Sequence, residues 1–313
     1  MDSGTNRGTS PKGPVSMRIE EVADGVLWIA PDVPGSGIVF SSYLIRGEVN
    51  VLIEPGPTAA IPSLLEALKS LGIESLQWII PTHIHMDHAG GLGALAARFP
   101  EACVIVHSRA VRHILDPARL IQDTRAAYGP EFKRVYGGIS PVLKHQIRET
   151  SDRETIAIDG RSLEILPAPG HAPHHVFIYD SLTQGIFCGE ALGMATDPPL
   201  PAPAAPNFDL ETCLNSMGRA LALTPRMLFY SHGSTRTDAT ARIRTAMANT
   251  RAFADMVLEA MKQHVSPADI GRLIRAHAEK HFPPEWQEEM IKVWLAGMRD
   301  GYIGYFAGKG LPR

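Results

Sequence analysis

The sequence is poor in several features that would mark a specialised class. It has three cysteines, Cys103, Cys188 and Cys213, with no close pair and no Cys-x-x-Cys. An odd, widely spaced set does not make a disulfide framework. Cys103 and Cys188 lie in strand-like apolar runs and are expected as buried thiols, which fits a cytoplasmic protein. No apolar run approaches the ~20 residues that a membrane span needs. The Gly-, Ser-, Thr- and Pro-rich start, residues 1–16, lacks the apolar segment of a signal peptide and reads as a disordered tail. A basic excess is missing too: Lys plus Arg number 30 against 33 Asp plus Glu, a net charge of −3, with no basic stripe. That argues against nucleic acid as a partner. What remains is an ordinary globular composition, 44% hydrophobic and 20% charged over 313 residues, with length for a substantial core.

From Met17 the pattern becomes one of short apolar strands. Runs 25–29, 37–45 and 49–53 are separated by Gly/Pro or charged turns and suggest an opening meander. Residues 63–71 have helical spacing ending near Gly72, 76–81 read as a strand, 92–99 as a helix and 103–107 as the next strand. The alternation predicts α/β layers. Residues 108–150 form a less regular, partly helical insertion with Tyr128 and Tyr136. Strands then resume at 155–158, 163–166, 176–179 and 186–188, with 181–185 as a hairpin connection. Residues 197–207 hold five prolines and must be an extended loop. A strand at 227–230 ends at Ser231-His232-Gly233. Beyond residue 236 the chain turns helical: 238–264 is long and amphipathic, Ser266-Pro267 starts a second helix, and a last one is expected near Pro284. This divides the chain into a catalytic domain over 17–236 and a helical region over 237–313.

The thirteen histidines are unevenly placed. Three fall within His83-Ile84-His85-Met86-Asp87-His88 and three within His171–His175, in loops that directly follow strand-like runs. Rigid sheet edges commonly carry functional side chains there. Imidazole and carboxylate suit Zn, Fe or Mn. Six residues cannot ligate one ion, so the tight run fits two neighbouring divalent metals, which need further ligands. His171, Glu190 and His232, each at a strand end, are candidates.

The run Thr82-His83-Ile84-His85-Met86-Asp87-His88-Ala89-Gly90-Gly91 resembles the signature of the metallo-β-lactamase superfamily. Pro169-Gly170-His171, Cys188-Gly189-Glu190 and Ser231-His232-Gly233 resemble its later motifs, in the same order. The resemblance spans about residues 19–234 and implies an αββα sandwich, followed here by a C-terminal α-helical extension. It also implies that His83, His85 and His171 hold one metal and Asp87, His88 and His232 a second. Glu190 would bridge them with a hydroxide that attacks a carbonyl, placing Asp87 in the catalytic machinery as well. Two positions depart from the family pattern: Glu190 and Glu54 (in Leu52-Ile53-Glu54-Pro55-Gly56) stand where aspartate is usual. Glu54 is expected to support the ligand loop from behind, and His175 to play a similar part.

The helical extension resembles that of the glyoxalase II-like and related branches. That implies a hydrolase of a small ester, thioester or lactone with two divalent cations, most simply Zn, with Fe or Mn as alternatives. A small-molecule substrate and a homodimer follow as expectations. An iron redox enzyme on the same scaffold is the main alternative, and a metal-dependent nuclease a weaker one. Elsewhere the bland readings are preferred. His107, His113, His145, His264, His277 and His281 are ordinary structural residues, and His174 a rim residue. Tyr128 and Tyr136 are packing or surface groups. Trp286, Met290 and Trp294 at helical spacing are a packing or subunit contact rather than a substrate wall.

Overall fold

The computed structural model describes residues 17–311 except 130, 131, 205 and 285, so the expected tail over 1–16 lies outside it. Two sheets face each other. The first runs in chain order: β1 (Arg18–Ala23), β2 (Val26–Ala30), β3 (Ser42–Ile45), β4 (Val51–Ile53), β5 (Trp78–Ile80), β6 (Cys103–His107) and β7 (Ile147–Thr150). The second holds β8 (Glu154–Ile158), β9 (Arg161–Pro167), β10 (Val176–Asp180), β11 (Gly185–Gly189), β12 (Met227–Tyr230) and β13 (Thr235–Arg236), in the order β13-β12-β11-β10-β9-β8.

Helices α1 (Ile61–Ser70), α2 (Met86–Ala89) and α3 (Leu92–Arg98) follow the early strands. The segment after β6 carries α4 (Val111–Leu115), α5 (Ala118–Tyr128) and α6 (Phe132–Tyr136). The second half adds α7 (Leu210–Ala222), α8 (Ala239–Lys262), α9 (Pro267–Ala278) and α10 (Glu288–Gly308).

Apolar alternation explains the layering. Val26, Trp28, Tyr43, Ile45, Ile53 and Ile80 of the first sheet meet Ile165, Ile178, Phe187 and Phe229 of the second in one buried cluster. The opposite face of the first sheet (Ile29, Leu44, Leu52, Ile79, Val104) is covered by Leu64, Leu68, Leu92 and Leu95 of α1 and α3. The opposite face of the second (Ile186, Cys188, Leu228, Tyr230) packs on Cys213 and Met217 of α7, Ile243 and Phe253 of α8, and Met298 and Tyr302 of α10. The result is an αββα sandwich with the C-terminal helices on one outer face. Tyr43 pins the sheets together: its hydroxyl donates to the Tyr230 carbonyl at 2.6 Å, with its ring edge-on to Phe187 and Phe229.

Several local expectations change. Residues 37–45 are not one strand: β3 begins at Ser42, because Gly35 and Gly37 turn with positive φ and Phe40 pairs instead with His232 of the other sheet. The charged edge strand β1 and the strand β7, which closes the irregular 108–150 segment, carry too little apolar alternation to be read from sequence. Helix α7 was also not expected, although Asp209 caps it by accepting from the Thr212 amide and Leu210, Cys213, Leu214, Met217 and Leu221 keep helical spacing. The last helix starts at Glu288, not near Pro284, so Trp286 precedes it. Cys103 is half-buried rather than buried, whereas Cys188 and Cys213 are fully enclosed.

Strand direction locates the site. β4, β5 and β6 run parallel, and in the second sheet β9, β11 and β12 share one direction through the antiparallel β10. Glu54 follows β4, His83–His88 follow β5, His171 follows β9, Glu190 follows β11 and His232 follows β12. Every expected site residue therefore leaves the C-terminal end of a strand. The two sheets are stitched at that edge by the Val176 amide on the Thr82 carbonyl (2.8 Å) and the Ser41 amide on the Ser231 carbonyl (2.9 Å).

Candidate metal centre

The structure brings all seven expected ligand positions into one cluster. Ligand-type atoms of His83, His85, His171 and Glu190 lie within 4.8 Å of one another, and so do those of Asp87, His88, Glu190 and His232. Glu190 belongs to both groups. One of its oxygens lies 3.2 Å from His171 Nε2, 3.6 Å from His88 Nε2 and 3.8 Å from His83 Nε2, while the other lies 3.9 Å from His232 Nε2. A glutamate thus reaches from the second sheet to both sets, despite the extra methylene.

Hydrogen-bond chemistry tests whether these atoms suit a cation. His171 Nδ1 lies 2.7 Å from the Pro203 carbonyl. A carbonyl only accepts, so this nitrogen carries the proton and Nε2 presents a lone pair. That lone pair faces His83 Nε2 at 3.2 Å and His85 Nδ1 at 3.1 Å, which face each other at 3.0 Å. In the same way His88 Nδ1 donates to the Glu54 carboxylate, which leaves Nε2 without a hydrogen-bond partner and turned toward Asp87 (3.3 Å) and Glu190. Three imidazole nitrogens converging in a buried place cannot all be paired by one another's protons, whereas a cation among their lone pairs would satisfy all three at once. The donor set, imidazole and carboxylate without sulfur, suits Zn, Fe or Mn.

The electrostatics agree. Burial, with the nearby His88, His85 and His171, drives His83 well below its usual pKa; burial and His171 lower His85 to about 4. Burial would raise Asp87 and Glu190. His88 and His232 overcome it for Asp87, His171 and His88 for Glu190, and both carboxyls stay well below the usual range. Burial would also lower His88, yet Asp87 and Glu54 outweigh it and hold it well above 6.5. The carboxylates of Asp87 and Glu54 thus make the place where the second donor set converges attractive to positive charge, whether a proton on His88 or a bound cation.

Glu54 supports the loop from behind, as expected. Its backbone lies in the left-handed region at φ +58, rare for a side chain of this kind, and its carboxylate is 2% exposed. One oxygen accepts from the Thr82 amide at 2.5 Å and the other from His88 Nδ1, so one side chain fixes both ends of the ligand loop. His175 is fully buried and stacks on His83 (centroids 4.9 Å apart), but neither of its nitrogens has a partner among the described residues; it holds the ring of His83 rather than bonding a ligand. Two glycines make the approach possible. A Cβ at Gly189 (φ +52) would fall 2.4 Å from Thr82 Oγ1 and 2.5 Å from His175 Nε2, and one at Gly170 would fall 2.3 Å from Cys213 Cα.

A cleft of about 1650 Å³ opens over His85, Asp87, His171, Glu190 and His232. Ligand pockets commonly span ~300–1,000 Å³, so this one is large. Trp286, Met290 and Trp294 line it, which corrects the expectation that they serve packing alone; Met290 also packs against Phe132, Val135 and Tyr136, and Tyr136 lines the cleft as well. Nothing is described of the Tyr128 side chain. His174, His113 and His281 are on the cleft wall, whereas His145, His264 and His277 are not. Sequence reasoning missed Thr82, whose hydroxyl meets His83 Nδ1 at 3.0 Å, the Pro203 carbonyl, and the cleft residues Arg109, Arg112 and Arg236. Only Thr82, inside the motif, carried a signal. Among the described residues no helix is long and apolar enough to cross a membrane.

Residues 37–232 match the family model described as the metallo-beta-lactamase superfamily. A metallo-beta-lactamase fold-containing protein of Sulfurisphaera tokodaii is 24% identical over 195 residues, covering 61% of this chain and 71% of that one. A hydroxyacylglutathione hydrolase of Aeromonas hydrophila is 31% identical over 151 residues, 48% of this chain and 45% of its own length, so the likeness spans less than half of that enzyme. A metallo-beta-lactamase family protein from Thermus thermophilus superposes with a TM-score of 0.70 at 19% identity, over 91% of this chain and 94% of the other.

Proposed function

The chain belongs to the metallo-beta-lactamase superfamily of metal-dependent hydrolases, and from that premise we propose that it is a dinuclear hydrolase of an ester, thioester or lactone. One observation carries the reading: two donor sets share Glu190 at the floor of a large, mostly apolar cleft. His83, His85 and His171 would hold one divalent cation and Asp87, His88 and His232 the other, with Glu190 common to both. Such ions supply Lewis acidity and lower the pKa of water.

The residues of the chain contribute orientation and charge. Glu54 and the Pro203 carbonyl set which nitrogen of His88 and His171 faces the cleft. Asp87, ionised and 3.2 Å from His232, places a negative charge at the cleft floor, where it would help hold a cation. His174 lines the wall with its ring 6.1 Å from that of His85; its Nδ1 is buried without a partner, so Nε2 is the nitrogen available to a substrate oxygen. The net reaction adds one water: a C–O bond forms at the acyl carbon, its C–O or C–S bond to the leaving group breaks, and a proton passes to the departing oxygen or sulfur.

The test is metal analysis of the purified protein, chelation, and hydrolysis of model esters, thioesters and lactones before and after restoring Zn, Mn or Fe. The expected result is about two equivalents of metal, activity lost on chelation and restored by metal. Metal-replete protein that cleaves none of these substrates overturns the reading. The all-N/O donor set equally suits iron, which keeps an iron redox enzyme as the second reading. Iron as the sole bound metal, with dioxygen consumption and no hydrolysis, would establish it.

A further inference from the structure

The two walls of the cleft differ in chemistry, and the difference narrows the substrate class; the inference rests on the hydrolase reading above. On the polar side, the acidic residues lining the cleft away from the ligand loops are all paired. Asp123 lies 3.5 Å from Arg119, Asp300 is bound by Arg299 at 2.6 Å, and Asp197 is bound by Arg242. The cations Arg109, Arg112, Arg236 and Lys280 line the same cleft without any carboxylate partner among the described residues. Arg112 Nε donates to His113 Nε2 at 3.1 Å, and Arg236 donates to the Ala195 and Thr235 carbonyls at 2.8 and 3.0 Å. These partners are neutral, so they orient the guanidinium groups and leave their charge uncompensated. The chain as a whole carries −3, so this is a local excess and not a sample of a basic surface. Arg109 and Arg112 follow β6, the strand beside β5, and therefore stand at the same sheet edge as the histidine loop.

The other wall is one face of α10. Met290, Val293, Trp294 and Gly297 line the cleft at i, i+3, i+4 and i+7, while Met298 and Gly301, further along the same face, are buried against the loop that carries Ala204. The stripe from Met290 to Gly297 is ~10 Å long at the rise of an α-helix and carries no charge; Asp300, further along the same helix, is the carboxylate bound by Arg299. A Cβ at Gly301 would fall 2.5 Å from the Ala204 carbonyl, so the proline-rich loop closes the far end there. At Gly297 the same carbonyl oxygen would lie 3.7 Å from such a Cβ, an ordinary contact, so the loop borders the cleft there without crowding it.

We propose that the substrate is an ester or thioester joining an extended, unbranched apolar arm to an anionic arm. The apolar arm lies along the α10 stripe and the anionic arm on Arg109 and Arg112, with the scissile carbonyl between them over the metal centre.

The experiment uses the metal-replete full-length protein and matched thioesters of 3-mercaptopropionate and of its neutral methyl ester, with straight acyl chains from acetyl to dodecanoyl. The expected result is a kcat/KM about tenfold or more higher for the anionic member of each pair, shrinking as salt is added. A similar rise is expected from acetyl to dodecanoyl. The Arg109→Glu/Arg112→Glu variant should bring the anionic-to-neutral ratio to one or below, and Gly297→Leu should abolish the gain with chain length. Calorimetry with S-dodecyl-3-mercaptopropionate, a thioether that cannot be hydrolysed, reads the same arms without chemistry; the arginine variant should weaken its binding about tenfold. Hydrolysis with ratios near one for charge and chain length overturns this inference and leaves the hydrolase reading standing. Tight, arginine-dependent binding of the thioether without hydrolysis of any thioester overturns the hydrolase reading instead. No binding and no hydrolysis overturns both.

Discussion

The metal loops and the cleft wall above them are built on opposite principles. In the loops the groups that orient the ligands are committed: Glu54 uses both oxygens, His171 one nitrogen on a backbone carbonyl, and His83 lies between Thr82 and its neighbours. Bulk is excluded to the last methyl group at Gly189 and Gly170. The wall formed by α4, α5 and α10 is looser, with half-buried apolar groups such as Met290 and Val293 and with Arg112 held only by a histidine. The chemistry of a metal centre tolerates few residue types at each position, whereas a wall requires only shape and charge of the right sign. Motifs therefore form in the first region and not in the second.

The comparison can be broken by mutations that rank in the same order. His85→Ala removes a lone pair from the first donor set and leaves its shell intact. It should cost more than about a thousandfold in kcat/KM and close to one equivalent of metal by elemental analysis. Glu54→Gln keeps the shape but weakens the bond that orients His88. Metal affinity in a chelator competition should fall about 10–100-fold, with circular dichroism unchanged. Gly189→Ala drives a methyl group into Thr82 and His175, and a stability loss of about 1–3 kcal/mol is expected in urea unfolding. His174→Ala and Trp286→Ala alter the wall alone; KM should rise by roughly threefold to tenfold with metal content unaltered. A wall variant that loses metal, or a loop variant that moves KM alone, would erase the distinction.

The same contrast governs what could be read from sequence. The run His83–His88, with Gly170-His171, Gly189-Glu190 and Ser231-His232-Gly233, was legible because each is a local string whose neighbours have no packing reason to be there. Mixed α/β layers followed from the alternation of elements, and the αββα order of those layers from the resemblance. Glu54 was legible from its match to the family pattern, but its left-handed backbone was not. The role of Pro203 was invisible, since a carbonyl's partner depends on where a distant loop comes to rest. Trp286, Met290 and Trp294 show helical spacing whether they face a core or a cleft, and only the packing of α10 against the rest decides which. Arg109 and Arg112 look like any solvated charges until the pairing of Asp123, Asp197 and Asp300 is known.

The order in which the cluster residues occur along the chain has a mechanical consequence. His88 and His232, both in the second donor set, are separated by 144 positions, and the residues between them include five of the six strands of the second sheet, β8 to β12, with β6 and β7 of the first. An ion shared by the loops of β5 and β12 is a crosslink that shortens the unfolded polymer's repertoire much as a covalent staple does. A closure of that size is worth on the order of 4–5 kcal/mol of chain entropy in the simplest model. Loading the centre should therefore raise the unfolding temperature of the sandwich as a whole and fuse its halves into one cooperative unit. A cation held there would act as a rivet between the two sheets.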